Sequence, residues 1–380
     1  MKKRVAVLGA TGSIGKSALD VLRNAKDSFD PVLFSANSDA EGLLELKEEF
    51  PGAYTALVDE SMSFKKGIDF LGNKRFLQAI AAVKADIAVN GVAGAAGLEP
   101  SAAVIGSGAD LALANKETIV MAGKLISALA EKNKVKIIPV DSEHSALFKL
   151  IEAHGKENVA EIILTASGGP FLNYASEKLK DVKPGDALSH PTWKMGPKIT
   201  IDSATMANKG LEVIEAALLF GFPPEKIKVV IHPQSVVHSM IRMTDGAVYA
   251  QMSEPDMRLP IHQALFWPET GESTLTSLNF DTLTLTFAPP DYEKFPLLAL
   301  AYQALKGGPG SQVVFNAANE VAVEAFLRRR IGFTDISRLV DYALAHSPPD
   351  EGEAETIEAV LERDREARAL AEGYLCTEFP

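Results

Sequence analysis

A glycine-spaced loop near the N-terminus could bind the phosphates of a nucleotide. Gly9, Gly12 and Gly15 recur at every third position, after a predicted strand and at the start of a predicted helix. Glycine lets the backbone approach a pyrophosphate, and the free N–H groups of a helix N-terminus attract phosphate oxygens. The alternative is a tight turn without a ligand. We favour dinucleotide binding because the loop lies where that chemistry requires it.

The end of the second predicted strand favours NADP over NAD. Asn37 and Ser38 follow that strand, and the first acid, Asp39, comes one position later. An acid at the strand end would bind the ribose 2′-hydroxyl of NAD and repel the 2′-phosphate of NADP. No arginine is adjacent to pair with a 2′-phosphate, so this preference rests on the missing acid alone.

Two acids, Asp141 and Glu143, follow the last predicted strand of the first sheet. Ligands of open α/β sheets lie at the carboxyl ends of the strands, and carboxylate oxygens there suit Mg²⁺ or Mn²⁺. Acids separated by one residue are common by chance in so acidic a chain, so the position carries this interpretation. The alternative is that Asp141 caps a helix and Glu143 is solvated.

Two lysines lie at the predicted starts of helices, where the helix dipole disfavours them. In Asn115-Lys116 and Asn208-Lys209 the asparagine could cap the helix, and the lysine in the first turn then costs about 0.3–1 kcal/mol. An anionic ligand would reverse that cost. The alternative is an exposed lysine. Glu212, one turn further on, is either a third carboxylate near a phosphate or a solvated side chain.

Two loops and two histidines are open to both functional and structural interpretations. Residues 167–169, a serine and two glycines, could cradle phosphate oxygens or form a plain turn. Residues 190–197 combine a histidine, a tryptophan and a methionine without periodicity, as in a lid, although the tryptophan could pack on its own domain. His232 and His238 lack a carboxylate at metal-ligand spacing, which favours structural histidines.

The elements that position these residues fall into distinct segments. Strands alternate with helices over 1–140, which predicts a doubly wound, Rossmann-like parallel sheet and an α/β fold class. Mixed strands over 141–275, with a hairpin turn at 244–246, predict an α+β domain. Residues 276–292, rich in Thr, Ser and Pro, form a linker, and 293–380 carry the helical spacing of a bundle.

Composition excludes several classes of protein. Fifty acids against 38 bases give a net charge of −12, which disfavours binding to nucleic acid or to an anionic membrane. Cys376 is the single cysteine, which excludes a disulfide framework and a site built on several thiolates. The apolar run after the basic start is too short for export, and no stretch suits a membrane span. We expect a cytoplasmic protein.

Eight blocks of the sequence resemble, in order, the 1-deoxy-D-xylulose 5-phosphate reductoisomerase family. They are GATGSIG at 9–15, LANKE at 113–117, DSEHSA at 141–146, TASGGPF at 165–171, HPTWKMGPKITIDSATMANKGLE at 190–212, HPQSVVHSM at 232–240, EPDMR at 254–258 and NAANEVAV at 316–323. The resemblance implies a metal-assisted rearrangement of a phosphorylated ketose, followed by hydride transfer from NADPH. The product would be 2-C-methyl-D-erythritol 4-phosphate, in non-mevalonate isoprenoid biosynthesis.

The same resemblance assigns roles to individual residues. The ligands of Mg²⁺ or Mn²⁺ would be Asp141, Glu143 and Glu212, which together with Lys116 form the catalytic set. The residues at NADPH would be Thr11, Gly12, Ser13, Ile14, Asn37, Ser38, Asn115 and Glu117. The residues at the substrate would be Lys116, Ser142, Glu143, Ser167, His190, Trp193, Ser203, Asn208, Lys209 and Glu212. His190, Trp193 and Met195 would form a closing flap, and the hairpin at 236–252 suits the family's homodimer.

Other functions compatible with the glycine loop need different residues. Another NADP-dependent dehydrogenase could act on a small phosphorylated or aldehyde substrate. A semialdehyde dehydrogenase would need a catalytic cysteine, and Cys376 is wrongly placed for that role. In a non-catalytic nucleotide sensor the acids and lysines would be incidental, so turnover distinguishes it from the enzymes.

Overall fold

The computed structural model describes residues 1–62, 66–189, 191–193, 195–348, 352 and 356–379. The chain forms two compact units. The first contains Met1–Thr118, Ile126–Ser145 and Asp256–Thr276, and the second contains Ile119–Leu125, Ala146–Pro255 and Ser277–Pro380. The predicted segments 1–140, 141–275, 276–292 and 293–380 stay a prediction.

A parallel sheet forms the centre of the first unit, and a mixed sheet that of the second. The strands are β1 Lys3–Leu8, β2 Phe29–Ala36, β3 Tyr54–Leu57, β4 Phe70–Leu71, β5 Ile87–Asn90, β6 Asp110–Leu113, β7 Ile137–Pro139, β8 Val159–Ala166, β9 Ile227–Ile231, β10 Val237–Met243 and β11 Val248–Met252. The first sheet has the order β4-β3-β2-β1-β5-β6-β7. All its strand pairs are parallel, which confirms the predicted doubly wound sheet.

Helices flank the strands and occupy the C-terminal part of the chain. They are α1 Ser13–Asn24, α2 Ala40–Glu49, α3 Asn73–Ala82, α4 Leu98–Gly106, α5 Lys116–Asn133, α6 Ser142–His154, α7 Pro184–Ala187, α8 Pro197–Ala204, α9 Ala207–Phe220, α10 Arg258–Phe266, α11 Pro296–Gly307, α12 Pro309–Leu327, α13 Asp335–His346 and α14 Ile357–Glu378. None of those described combines the length and the apolar character needed to cross a membrane.

The segment around α10 completes the first unit from far along the chain. α10 packs against α1 and beside β6 and β7. Lys3 Nζ donates to the carbonyl oxygens of Leu265 and Trp267, at 2.8 and 3.1 Å. The rings of Phe29 and Phe266 meet edge to face, with centroids 4.8 Å apart. This helix was not predicted from the sequence, because its packing partners lie so distant in the chain.

In the second unit a mixed sheet of order β11-β10-β8-β9 confirms the predicted α+β character. β9 runs parallel to β8, whereas β10 is antiparallel to both β8 and β11. The turn between β10 and β11 is the predicted hairpin: Gly246 has a φ of +92°, and Met243 N donates to Ala247 O at 2.8 Å. The left-handed φ explains the glycine, because other residues rarely adopt it.

The C-terminal helices bury a common apolar core, as predicted for residues 293–380. α12 packs against α11, α13 and α14, and α11 also packs against α9. At the α9–α11 contact a Cβ on Gly210 would lie 2.6 Å from Ala301 Cβ. Gly210 is therefore required for close packing of these helices.

Gly15 allows α1 to start close against the end of β1. A Cβ at this position would lie 2.3 Å from the carbonyl oxygens of Gly9 and Ala10. We expect Gly15→Ala to cost about 1–3 kcal/mol of stability, because backbone atoms must shift to admit the methyl group. Gly106→Ala is the matched control, since a Cβ there has nothing within 4 Å. Thermal unfolding should show a lower Tm for Gly15→Ala alone, and equal Tm values for the two variants would contradict this account.

Candidate active site

The glycine loop presents backbone N–H groups at the carboxyl end of β1. Gly9 has a φ of +79°, and its N–H donates to Ser35 Oγ at 3.2 Å. Gly12 precedes α1 without a side-chain cap, and both it and Ser13 are exposed. The first N–H groups of α1 are thus not capped by a side chain, which is what an anion-binding helix N-terminus requires.

Asn37 and Ser38 follow β2 and are exposed. β2 pairs with β1, the strand that the glycine loop follows. The next residue, Asp39, accepts a hydrogen bond from Gly42 N at 2.9 Å and so caps α2. Its carboxylate therefore has a structural role. The cap explains why an acid is found at position 39. An acid one position earlier, at the end of the strand, would repel the 2′-phosphate of NADP.

Lys116 begins α5 and is only 5% exposed, so the exposed-lysine alternative is wrong for this residue. Its ammonium group forms an ion pair with Asp141, which follows the neighbouring strand β7. Asn115 caps α5 as predicted, accepting from Thr118 N at 3.0 Å, and its amide donates to Glu117. A carboxylate thus offsets the unfavourable position of Lys116.

Ser142 and Glu143 open α6, directly after Asp141. Ser142 Oγ donates to Glu143 Oε2 at 2.5 Å. The backbone oxygen of Asp141 accepts from Ser145 N at 2.7 Å, so Asp141 is the residue that precedes α6, and its role as a helix cap stays a prediction. The first unit therefore holds two carboxylates, a hydroxyl and a lysine at the carboxyl ends of β6 and β7.

In the second unit, the side chains of Asn208 and Lys209 both contact the Glu212 carboxylate. Asn208 Nδ2 donates to Glu212 Oε1 at 2.6 Å, and Lys209 Nζ is paired with Glu212 Oε2. Glu212 is 1% exposed and Lys209 4%, so the solvated alternatives for both residues are wrong. A buried carboxylate is tolerated because both of its oxygens have polar partners.

The predicted helix cap at Asn208 is also wrong. α9 begins at Ala207, after Met206 with a left-handed φ of +63°. Asn208 therefore lies in the first turn of the helix, where its side chain reaches Glu212 one turn further on. The early start follows from the conformation of Met206, and nothing in the local sequence indicates it.

The loop that carries Ser167 approaches the backbone of Ser203 closely at Gly169. Gly169 has a φ of +67°, and a Cβ there would lie 2.7 Å from Ser203 O. Gly169 N donates to Ser167 Oγ at 3.2 Å. The loop after β8 is therefore held against the C-terminal turn of α8, and both hydroxyls are only partly buried. Both interpretations of this loop, a phosphate cradle and a plain turn, stay predictions.

The predicted flap lies just before α8, and His190 is outside the described residues. Trp193 is half-buried, with its ring centroid 6.4 Å from that of His238. His238 Nε2 lies 2.8 Å from Ser253 Oγ. His232 is the structural histidine expected: its Nε2 accepts from the N–H groups of Val236 and Val237, so Nδ1 donates to a backbone carbonyl.

Sequence reasoning missed a buried acid in the second unit. Asp202, next to Ser203, is 1% exposed and accepts from Asn319 Nδ2 at 2.7 Å. Asp202 and Asn319 lie in the sequence blocks at 190–212 and 316–323, but the sequence analysis assigned no function to either residue. The sequence did contain a signal for Asp202. An acid whose helix shows no polar, solvent-facing side is expected to be buried, and a buried acid needs a polar partner.

The chemistry of the donor set suits a hard divalent cation. Asp141, Glu143 and Glu212 offer only carboxylate oxygens, the ligands that Mg²⁺ and Mn²⁺ prefer. Lys116 pairs with the carboxylate of Asp141, and Lys209 pairs with that of Glu212. The carboxylates that each unit holds are therefore of the kind that such an ion binds.

Comparison with known proteins gives one consistent result. Models described as 1-deoxy-D-xylulose 5-phosphate reductoisomerase, its C-terminal domain and the DXP reductoisomerase C-terminal domain match residues 5–123, 137–220 and 252–370. The reductoisomerase of Treponema denticola is 49% identical over 97% of this chain and 96% of its own length. That of Chlorobaculum tepidum is 48% identical over 97% of this chain and 98% of its own length.

Solved structures agree with the sequence comparisons. The enzyme from Zymomonas mobilis in complex with NADPH has a TM-score of 0.90 and 39% identity, covering 99% of this chain and 100% of its own. A reductoisomerase in complex with NADPH, fosmidomycin and magnesium has a TM-score of 0.92 and 36% identity, covering 98% of both chains. The resemblance found in the sequence is confirmed, and the chain belongs to the 1-deoxy-D-xylulose 5-phosphate reductoisomerase family.

Proposed function

We propose that this chain performs its family's reaction with the residues described above. The chain is an oxidoreductase that uses NADPH and a divalent cation to convert 1-deoxy-D-xylulose 5-phosphate into 2-C-methyl-D-erythritol 4-phosphate, a step of isoprenoid biosynthesis. The observation that carries our assignment of residues is the buried Glu212 carboxylate, held by Lys209 and Asn208.

We assign NADPH to the carboxyl edge of the first sheet. Thr11, Gly12, Ser13 and Ile14 would face the pyrophosphate, and Asn37 and Ser38 the 2′-phosphate. Asn115 and Glu117 would border the nicotinamide; because the Asn115 side chain is bonded within the fold, its backbone would make the contact. The order of the strands supports this assignment, since dinucleotides bind where strand order reverses beside β1.

Asp141, Glu143 and Glu212 would hold the cation, and Lys116 would bind substrate oxygens. A divalent cation bound there supplies polarisation of the substrate carbonyl and stabilisation of negative charge on oxygen. Lys116 would donate a hydrogen bond to the same oxygens, and Ser142 would contact a hydroxyl. The ion pair between Lys116 and Asp141 supports this assignment. Lys116 is held there by α5, which Asn115 caps.

Ser167, Ser203, Asn208 and Lys209 would bind the phosphate of the substrate. Binding energy at the phosphate, which does not react, orients the carbons that do. Trp193, with His190 and Met195, would cover the substrate and exclude water, so that the intermediate aldehyde is reduced before it escapes. The buried ammonium of Lys209 and the contact between Gly169 and Ser203 support this cradle.

Steady-state oxidation of NADPH tests the function directly. We expect turnover to require 1-deoxy-D-xylulose 5-phosphate, to stop in excess chelator and to return with Mg²⁺ or Mn²⁺. Undiminished turnover in the chelator would refute the assignment of a metal. Turnover with small aldehydes but none with the phosphorylated ketose would favour the alternative of another NADP-dependent dehydrogenase.

We also propose a cytoplasmic homodimer. The edge strand β11 carries Val248 and Tyr249, both more than 40% exposed, and a second copy would cover these apolar side chains. The single Cys376 suits a reducing compartment. Light scattering during gel filtration tests the dimer, and a species of 40.7 kDa at micromolar concentration would contradict it.

A further inference from the structure

We propose that Asp202 and Asn319 are positioning residues for the phosphate of the substrate. The proposal rests on the proposed function, because it takes Ser203, Asn208 and Lys209 as the phosphate-binding residues. Neither Asp202 nor Asn319 would contact the phosphate. They would fix the helix end on which the phosphate-binding groups are built.

The Asp202 carboxylate is buried between two helices of the second unit. One oxygen accepts from Asn319 Nδ2 of α12 at 2.7 Å, and the other pairs with Lys198 Nζ of α8 at 2.9 Å. Asp202 is 1% exposed and Asn319 is fully buried. A buried carboxylate is held in one place by the partners that compensate its desolvation, so this contact fixes α8 against α12.

The orientation of the Asn319 amide is determined by Asp202. Its Oδ1 is buried and accepts no hydrogen bond from the described residues. A flipped amide would turn that oxygen toward the carboxylate, which repels it. The amide therefore donates to Asp202 and leaves its oxygen unpaired, which an apolar side chain at this position would avoid. Packing alone does not explain an asparagine here.

Movement of α8 would reach each proposed phosphate contact. Ser203 is the next residue after Asp202, and Gly169 packs on the Ser203 carbonyl oxygen. The link from α8 to α9 is short and hydrogen-bonded: Thr205 Oγ1 donates to Ile201 O at 3.1 Å, and Ala207 N donates to Thr205 Oγ1 at 3.4 Å. α8 thus sets the position of the Ser203 hydroxyl and of the first turn of α9.

The test compares Asn319→Leu with Asn316→Leu. Asn316 lies on the same face of α12, is equally buried and also has an unpaired Oδ1, but its amide is directed at Glu320. For Asn319→Leu we expect KM for 1-deoxy-D-xylulose 5-phosphate and the inhibition constant of inorganic phosphate to rise about tenfold, with kcat and KM for NADPH within about threefold. Asn316→Leu should change Tm to a similar extent without raising either constant.

Asp202→Asn is the second variant, in case Asn319→Leu does not fold. It keeps the shape and an acceptor for Asn319 but loses the charge that pairs with Lys198, so KM for the ketose phosphate should rise severalfold above the wild-type value. Wild-type KM and phosphate inhibition in both folded variants, or an equal rise in Asn316→Leu, would overturn the proposal. If Lys209→Met leaves phosphate inhibition unchanged, the phosphate site itself is wrong; a normal effect of Lys209→Met with no effect of Asn319→Leu removes only the positioning role.

Discussion

Glu212→Gln is expected to lower kcat about 100-fold or more while the protein remains folded. The amide has the size of the carboxylate but lacks the charge that a divalent cation and Lys209 require. The concentration of Mg²⁺ that gives half-maximal activity should rise as well. Steady-state kinetics across a Mg²⁺ titration measure both effects, and circular dichroism checks the fold.

A carboxylate far from the site provides the control for this substitution. Glu324 on α12 is exposed and pairs with Arg328, the residue that follows this helix. Glu324→Gln should leave kcat and the Mg²⁺ requirement unchanged, because exposed ion pairs of this kind contribute little. If Glu212→Gln behaved like Glu324→Gln, Glu212 would have no part in binding the cation.

Lys209→Met should raise KM for 1-deoxy-D-xylulose 5-phosphate about ten- to a hundredfold, the loss expected for a charge-assisted hydrogen bond of about 1.5–3 kcal/mol. Methionine keeps most of the side-chain volume in a position that is 4% exposed. KM for NADPH should not change, because Lys209 is not among the proposed NADPH contacts. A smaller fall in kcat is expected too, since Glu212 loses its partner.

Lys228→Met tests whether any loss of a lysine has this effect. Lys228 lies on β9, is exposed and pairs with Glu161. Its loss should leave every kinetic constant near the wild-type value. An unchanged KM in Lys209→Met would remove Lys209 from the phosphate site, whatever the behaviour of this control.

The first sheet could be predicted from the sequence because its strands are buried on both faces. Such strands, β1 among them, read as continuous apolar runs between helical patterns. The two residues of β4 are too few to form a recognisable run. α10 was missed for a different reason: its partners α1, β6 and β7 are distant in sequence, and no local pattern reveals them.

The sequence indicated which residues are candidates for the site, but not how deeply they are buried or which residues they pair with. The sequence left open whether Glu212 faces solvent. α9 is buried on nearly all sides, so Glu212 lies in the interior, and this burial depends on packing partners that the local sequence does not reveal. Lys116 was singled out by its unfavourable position, and the anion that compensates it, Asp141, follows an adjacent strand that only the strand order reveals.

The late return of α10 to the first sheet has a consequence for synthesis on the ribosome. The strands of the first sheet are synthesised first, but Lys3 and Phe29 can form their contacts only after Leu265 and Phe266 have been synthesised. At about 5–20 residues per second, the intervening polypeptide takes roughly 12 to 50 seconds to appear. During that interval the growing chain exposes the apolar flank of α1, so molecular chaperones have a defined surface to protect.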